Sequence, residues 1–117
     1  SFDHAMLLNS RKLQRALERA AIIADGHNSV VKLEAADGNL VITAEADASN
    51  GREVLRYDGN AKGTWAFNVH YLLDGLKAFK SHDQINLHCN DATTPVVMKP
   101  ATVDGQTYLI MPVQVRS

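Results

Sequence analysis

Phe67-Asn-Val-His-Tyr-Leu-Leu-Asp-Gly-Leu-Lys-Ala-Phe79 reads as the end of an apolar strand, a capping asparagine and an amphipathic helix. Asn68 offers a side-chain oxygen to the free amides at the start of a helix predicted over Val69 to about Lys80, with a strand over Thr64 to Phe67 before it. The same plan opens the chain. A short strand from His4 to Leu8 leads through Asn9 or Ser10, either of which can cap, into a helix ending near Asp25. Leu8, Asn9, Leu13 and Leu17 fall where Phe67, Asn68, Leu72 and Leu76 fall later. Three strands follow each helix. They are predicted over Ser29 to Ala35, Leu40 to Glu45 and Arg52 to Tyr57, then over Gln84 to Cys89, Pro95 to Lys99 and Thr107 to Val115. Asp37-Gly38 signals a two-residue hairpin, Asn50-Gly51 a turn before the third strand, and Asp104-Gly105 the last turn. The expectation is an α+β fold, a duplicated β-α-β-β-β unit spanning about 4–58 and 63–115 with two helices on antiparallel sheets.

Alternation sets the faces of the strands. Val31, Leu33 and Ala35 oppose Lys32 and Glu34, and Ile85, Leu87 and Cys89 oppose Asn86 and His88, as in sheets with one solvated face. In the first helix Leu13, Leu17, Ala20, Ala21 and Ala24 share one side, while Arg11, Lys12, Arg15 and Arg19 gather on the other with Glu18 among them. The second buries Val69, Leu72, Leu73, Leu76 and Phe79 and turns His70, Lys77 and Lys80 outward beside Asp74. Tyr71 stands off the apolar stripe, near the helix start and beside Gly75, as a ring able to anchor a partner. In Tyr108-Leu-Ile-Met-Pro-Val113 the proline cannot donate to a sheet ladder, so Pro112 marks an edge or strand end whose apolar neighbours are half covered. Such a place can hold a peptide.

At 117 residues and 45% hydrophobic, the chain is expected to form a single domain over 1–117 with a core of its own. A start at Ser1 rather than Met reads as a processed or excised chain. The lone Cys89 cannot form an internal disulfide, which fits a reducing compartment, and the cytoplasm is the expected location. No apolar run approaches the roughly 20 residues of a membrane span, so no membrane partner is expected. A net charge of −1 gives no global attraction to nucleic acid, so any such contact must come from charge segregated onto one face. No CxxC, HExxH, GxSxG or phosphate-loop pattern occurs, and no cofactor, metal or catalytic residue is expected. A metal-assisted hydrolase would have to use His82, Asp83 and His88. Its weakness is that His88 and Cys89 project to opposite faces of one strand. A second alternative is a stand-alone domain that binds DNA through its basic helix faces.

The segments Arg15-Ala-Leu-Glu-Arg-Ala-Ala-Ile-Ile23, Phe67 to Phe79 and Tyr108 to Val113 resemble the C-terminal domain of the bacterial DNA polymerase III beta subunit, the sliding clamp. The likeness runs from Phe2 to Val115. It implies a DNA-clamp fold with no enzymatic activity: one domain of a ring that encircles duplex DNA and gives the replicative polymerase its processivity. Partners implied are duplex DNA without sequence preference, the remaining clamp domains and a second clamp subunit, and short linear motifs of the polymerase, the clamp loader and repair factors. Arg11, Lys12, Arg15, Arg19, His70, Lys77 and Lys80 would face DNA. The peptide groove would draw on Leu17, Asn68, Tyr71 and Pro95, and on Leu109, Ile110, Met111, Pro112, Val113, Gln114 and Val115. The chain departs from family members in Gln114 and Val115, where a basic residue and a leucine often stand. It departs also at Leu17, where relatives can carry an aromatic ring, and at Pro95, where they can carry a small polar residue.

Overall fold

The computed structural model describes residues 4–26, 28–46, 49–80, 82–90, 93–101 and 106–113. The elements are β1 (His4–Asn9), α1 (Ser10–Ala24), β2 (Val30–Ala36), β3 (Asn39–Ala46), β4 (Ser49–Arg56), β5 (Gly63–Asn68), α2 (Val69–Ala78), β6 (Gln84–Cys89), β7 (Val96–Pro100) and β8 (Tyr108–Ile110). Two asparagines start the helices in one conformation. Asn9 (φ −69°, ψ 119°) accepts from the amide of Lys12, and Asn68 (φ −68°, ψ 120°) accepts from that of His70, each at 2.9 Å. Asn9 is thus the cap of α1, while the Ser10 hydroxyl donates to the carbonyl of His82 at 2.6 Å.

Two four-stranded antiparallel sheets result, ordered β1-β6-β7-β8 and β4-β3-β2-β5. Each holds three consecutive strands of one half of the chain and the opening strand of the other. Backbone ties then join the sheets at equivalent places. The amide of Leu7 donates to the carbonyl of Asp58 at 2.7 Å and that of Asp58 returns to Leu7 at 3.1 Å, while the amide of Val113 donates to Ala66 at 2.7 Å. Both helices pack on a single core whose fully buried members include Met6, Leu8, Leu13, Leu33, Ile42, Leu72, Ile85 and Met98. Each comes from the apolar phase of its element, period two in strands and near 3.6 in helices.

Turn chemistry places β2 and β3 side by side. Asp37 (φ 53°) and Gly38 (φ 83°) take the paired left-handed conformations of a two-residue hairpin, and Ala36 pairs with Asn39 across it. Asn50-Gly51 differs from expectation. Both residues lie within β4, paired with Glu45 and Ala44, and the connection falls at 47–48, outside the described residues. Gly51 leaves space there for Ile23, which reaches over the strand from α1: a Cβ would sit 2.5 Å from its Cδ1, and the tip of the isoleucine would have to turn aside. The last strand is also shorter than predicted. β8 stops at Ile110, so Pro112 lies beyond the strand rather than inside it. Asp104-Gly105 falls outside the described residues.

Candidate functional site

α2 and β8 meet where glycine allows it. A Cβ on Gly75 would stand 2.9 Å from Sδ of Met98 and 3.0 Å from Cδ1 of Tyr108, so the helix lies directly on β7 and β8. Beyond β8 the chain runs on to Val113, whose bond to Ala66 sets it beside the last residues before α2. The first turn of α2, carrying Tyr71, and the end of the described chain therefore share one end of the molecule. Ile110 faces Val96 on the core side, which turns Leu109 and Val97 to the opposite face. Leu109 and Met111 are 66% and 58% exposed, Val113 is exposed as well, and Tyr71 is 57% exposed. Tyr71 near the helix start and Leu109, Met111 and Val113 in the last described stretch are thus large apolar side chains left in water, of the kind a partner can dry.

Two residues expected in this groove are interior ones. Leu17 is 0% exposed because it sits in the middle of the apolar stripe of α1, and Ile110 is 2% exposed because alternation turns it inward. Neither offers side-chain surface to a peptide. Asn68 spends its carboxamide oxygen on the cap of α2, Pro95 is exposed just before β7, and Pro112 is half-buried. Gln114 and Val115 lie outside the described residues.

All seven basic side chains expected to face DNA are exposed. Two of them have acidic partners from distant parts of the chain. Arg19 donates to Oε1 of Glu53 on β4 at 2.8 Å, a bond that lifts the guanidinium pKa further, and Nε2 of His70 lies 2.6 Å from Oδ1 of Asp25. Asp25 also accepts from the Ser29 hydroxyl at 3.0 Å, so the pair ties the end of α1 to the start of α2. The hydrogen bond with His70, then that with Ser29, holds the Asp25 carboxyl below the usual carboxylate range. A depressed pKa in the folded state stabilises fully above the unfolded value, and that contribution disappears as pH falls through the lower folded value. Carbon-detected titration is expected to give Asp25 a midpoint below 3.8, its ordinary value, and His70→Ala is expected to move it back up.

Among the described residues no group of three or more His, Cys, Asp or Glu is arranged to hold a metal ion. His88 and Cys89 do project to opposite sides of β6, Cys89 into the core. Burial pushes the Cys89 thiol up to about 12, which leaves it protonated and unreactive at neutral pH. Burial, and then the charge of Lys99, hold His88 below its usual pKa. No helix among the described residues is long and apolar enough to cross a membrane.

Sequence reasoning missed a cleft in the first half. Leu8, Asn9 and Lys12 at the start of α1 face Val54, Leu55 and Arg56 of β4 across a space of about 250 Å³. The signal that finds it is the repeat, since the opening of α1 matches that of α2. Ile22 on α1 also projects into water, another exposed apolar side chain that the helix pattern did not mark.

Comparisons with known proteins agree with this architecture. Residues 1–114 match the family model described as the DNA polymerase III beta subunit, C-terminal domain. A beta sliding clamp of Synechococcus elongatus is 35% identical over 120 residues, covering 99% of this chain and 32% of the relative. One of Synechocystis is 34% identical over 117 residues, covering 97% and 30%. The chain thus spans about a third of the length of these relatives. The crystal structure of a DNA polymerase III beta subunit from Thermotoga maritima superimposes with a TM-score of 0.94 at 21% identity, over 99% of this chain and 32% of that one. A DNA polymerase sliding clamp from Pseudomonas aeruginosa superimposes with 0.91 at 24% identity, over 97% and 32%. The fold is that of the sliding clamps, and the chain belongs to the family formed by the C-terminal domains of DNA polymerase III beta subunits.

Proposed function

We propose that this chain works as the third domain of a non-catalytic sliding clamp, contributing one segment of a ring around duplex DNA and docking apolar peptide motifs of the polymerase, the clamp loader and repair factors. The observation that carries the reading is the exposure of Tyr71 near the start of α2 and of Leu109, Met111 and Val113 in the last described stretch, whose end is tied to Ala66 just before that helix. Tyr71 is a rigid ring and Met111 a pliable thioether, a pair suited to varied apolar partners. Each buried anchor of a partner contributes roughly 1.5 to 3 kcal/mol, so several anchors reach the roughly 8 kcal/mol of micromolar binding. Part of a groove gives less.

On the helix side Arg11, Lys12, Arg15, Lys77 and Lys80 face water with Glu18 and Asp74 among them. A diluted positive face suits a ring that must slide: attraction to phosphates is sequence-independent and screened, and topology does the holding. The testing experiment is a titration of isotope-labelled protein with a short apolar peptide, followed by amide shifts. Shifts at Tyr71, Leu109 and Met111 are expected, with millimolar to micromolar affinity. None at millimolar peptide would overturn the groove. A linear duplex is expected to bind hardly at all, because an open segment cannot encircle it; tight binding with a steep salt dependence would favour a stand-alone DNA-binding domain.

A further inference from the structure

Asp25 closes α1 with a charge that suits the other helix. It caps the C-terminus of α1, where the helix dipole disfavours a carboxylate and no basic residue in the last turn offsets it. At the start of α2 a carboxylate is favoured, yet the first turn of that helix carries none. The fold joins the two places. Nε2 of His70 lies 2.6 Å from Oδ1 of Asp25, both side chains half in water. Ser29, whose hydroxyl donates to the same oxygen, accepts the amide of Val69 on its carbonyl at 2.9 Å and fixes its own amide to the carbonyl of Ala24 at 2.8 Å. Asn28 (φ 59°) and Ser29 (φ 62°) both take the left-handed conformation, which is costly for residues other than glycine, so these bonds hold the turn against its own preference. The first half of the chain makes only the backbone tie of this kind. Ser10, which matches Val69, donates its amide to Asp83 at 2.9 Å and adds its hydroxyl bond to His82. Val69 has no hydroxyl, and Asp25 with His70 supplies the second bond.

We infer that Asp25 is a positioning residue, which through His70 and Ser29 sets the first turn of α2, and with it Tyr71, for the docking of an apolar peptide; the inference rests on reading Tyr71 as part of a peptide groove. The first amides of a helix have no partner within it, and the end frays unless other groups hold it. Here the amide of Val69 is bound to Ser29, that of His70 to Asn68, and the ring of His70 to Asp25, so the two residues before Tyr71 are both tethered. Tyr71 itself is more than half exposed. Few contacts fix its ring, and its place follows the backbone that carries it. A ring held ready spares a bound peptide the cost of ordering it. An exposed ion pair adds little to global stability, so its loss is expected in affinity rather than in melting.

The test compares Asp25→Ala and Asp25→Asn with the parent chain. Lys32→Ala is the control, because it breaks an exposed ion pair with Glu34 on the face of β2 turned away from the core. Affinity for the blocked hexapeptide Gly-Ser-Leu-Leu-Phe-Gly is read from amide shifts of labelled protein, and hydrogen exchange at Val69 is read without peptide. Asp25→Ala is expected to bind about fivefold more weakly and to exchange about tenfold faster at Val69, with a melting temperature close to that of the parent. Asp25→Asn keeps an acceptor oxygen in the same place and is expected to recover most of the affinity, and Lys32→Ala to bind as the parent does. Unchanged affinity in Asp25→Ala, no recovery in Asp25→Asn, an equal loss in Lys32→Ala, or a loss matched by a large fall in melting temperature would each overturn the assignment. Failure of the groove reading looks different: the peptide then shifts neither Tyr71 nor Met111 in the parent chain, while exchange at Val69 still reports whether Asp25 holds the helix start.

Discussion

Tyr71→Ala and Met111→Ala together are expected to weaken the docking of an apolar peptide about a hundredfold, equivalent to about 2.8 kcal/mol, at nearly unchanged thermal stability. Both side chains are more than half exposed, so the folded domain loses little when they are trimmed. A bound peptide would lose an aromatic wall and a conforming thioether at once. The single variants are expected to cost about tenfold each, with departures from additivity because the two residues serve one partner. Fluorescence anisotropy of a labelled peptide measures the affinity, and a melting curve checks the fold. Unchanged affinity in the double variant would exclude this patch. A loss of affinity matched by a large fall in melting temperature would mean that the side chains serve the fold instead.

Gly75→Leu is expected to destabilise the domain by about 2 kcal/mol, enough to lower the melting temperature by roughly 10 °C, and to disrupt docking with it. The first added atom would stand 2.9 Å from Sδ of Met98 and 3.0 Å from Cδ1 of Tyr108, and the rest of the leucine has to displace β8 or lift α2. The gain in helix propensity, at most about 1 kcal/mol, offsets only part of this. Gly75→Ala makes a useful control. Its single methyl meets the movable end of Met98 first, so its effect is expected to be much smaller. Urea denaturation measures both, and a leucine variant as stable as the parent would show that helix and strand are not in close contact.

Most of the fold was legible because local signals agreed with global ones. Asn68 announces its helix and the pair Asn9-Ser10 the other, Asp37-Gly38 its hairpin, and strict alternation identifies the inward faces of β2 and β6. Asn50-Gly51 misled because the glycine answers to a distant side chain, Ile23, rather than to a bend in its own backbone. In the candidate site, Tyr71 was legible from its angle on the helix. Ile110 and Leu17 were placed in the groove by likeness to relatives, although phase alone puts both inside. The partners of Arg19 and His70 were not legible. Glu53 and Asp25 reach them only through the packing of α1 against β4 and of α1 against α2, which no local window contains.

The swapped placement of the opening strands, β1 in the sheet of the second half and β5 in the sheet of the first, makes the halves mutually dependent. Cut apart near residue 60, each would keep a three-stranded remnant with one raw edge and a helix half uncovered. Neither could persist alone in water, yet each would carry the missing piece of the other. The molecule is therefore interlocked like two clasped hands. A single cooperative melting transition is therefore expected, with damage to the strands of either sheet felt in the other.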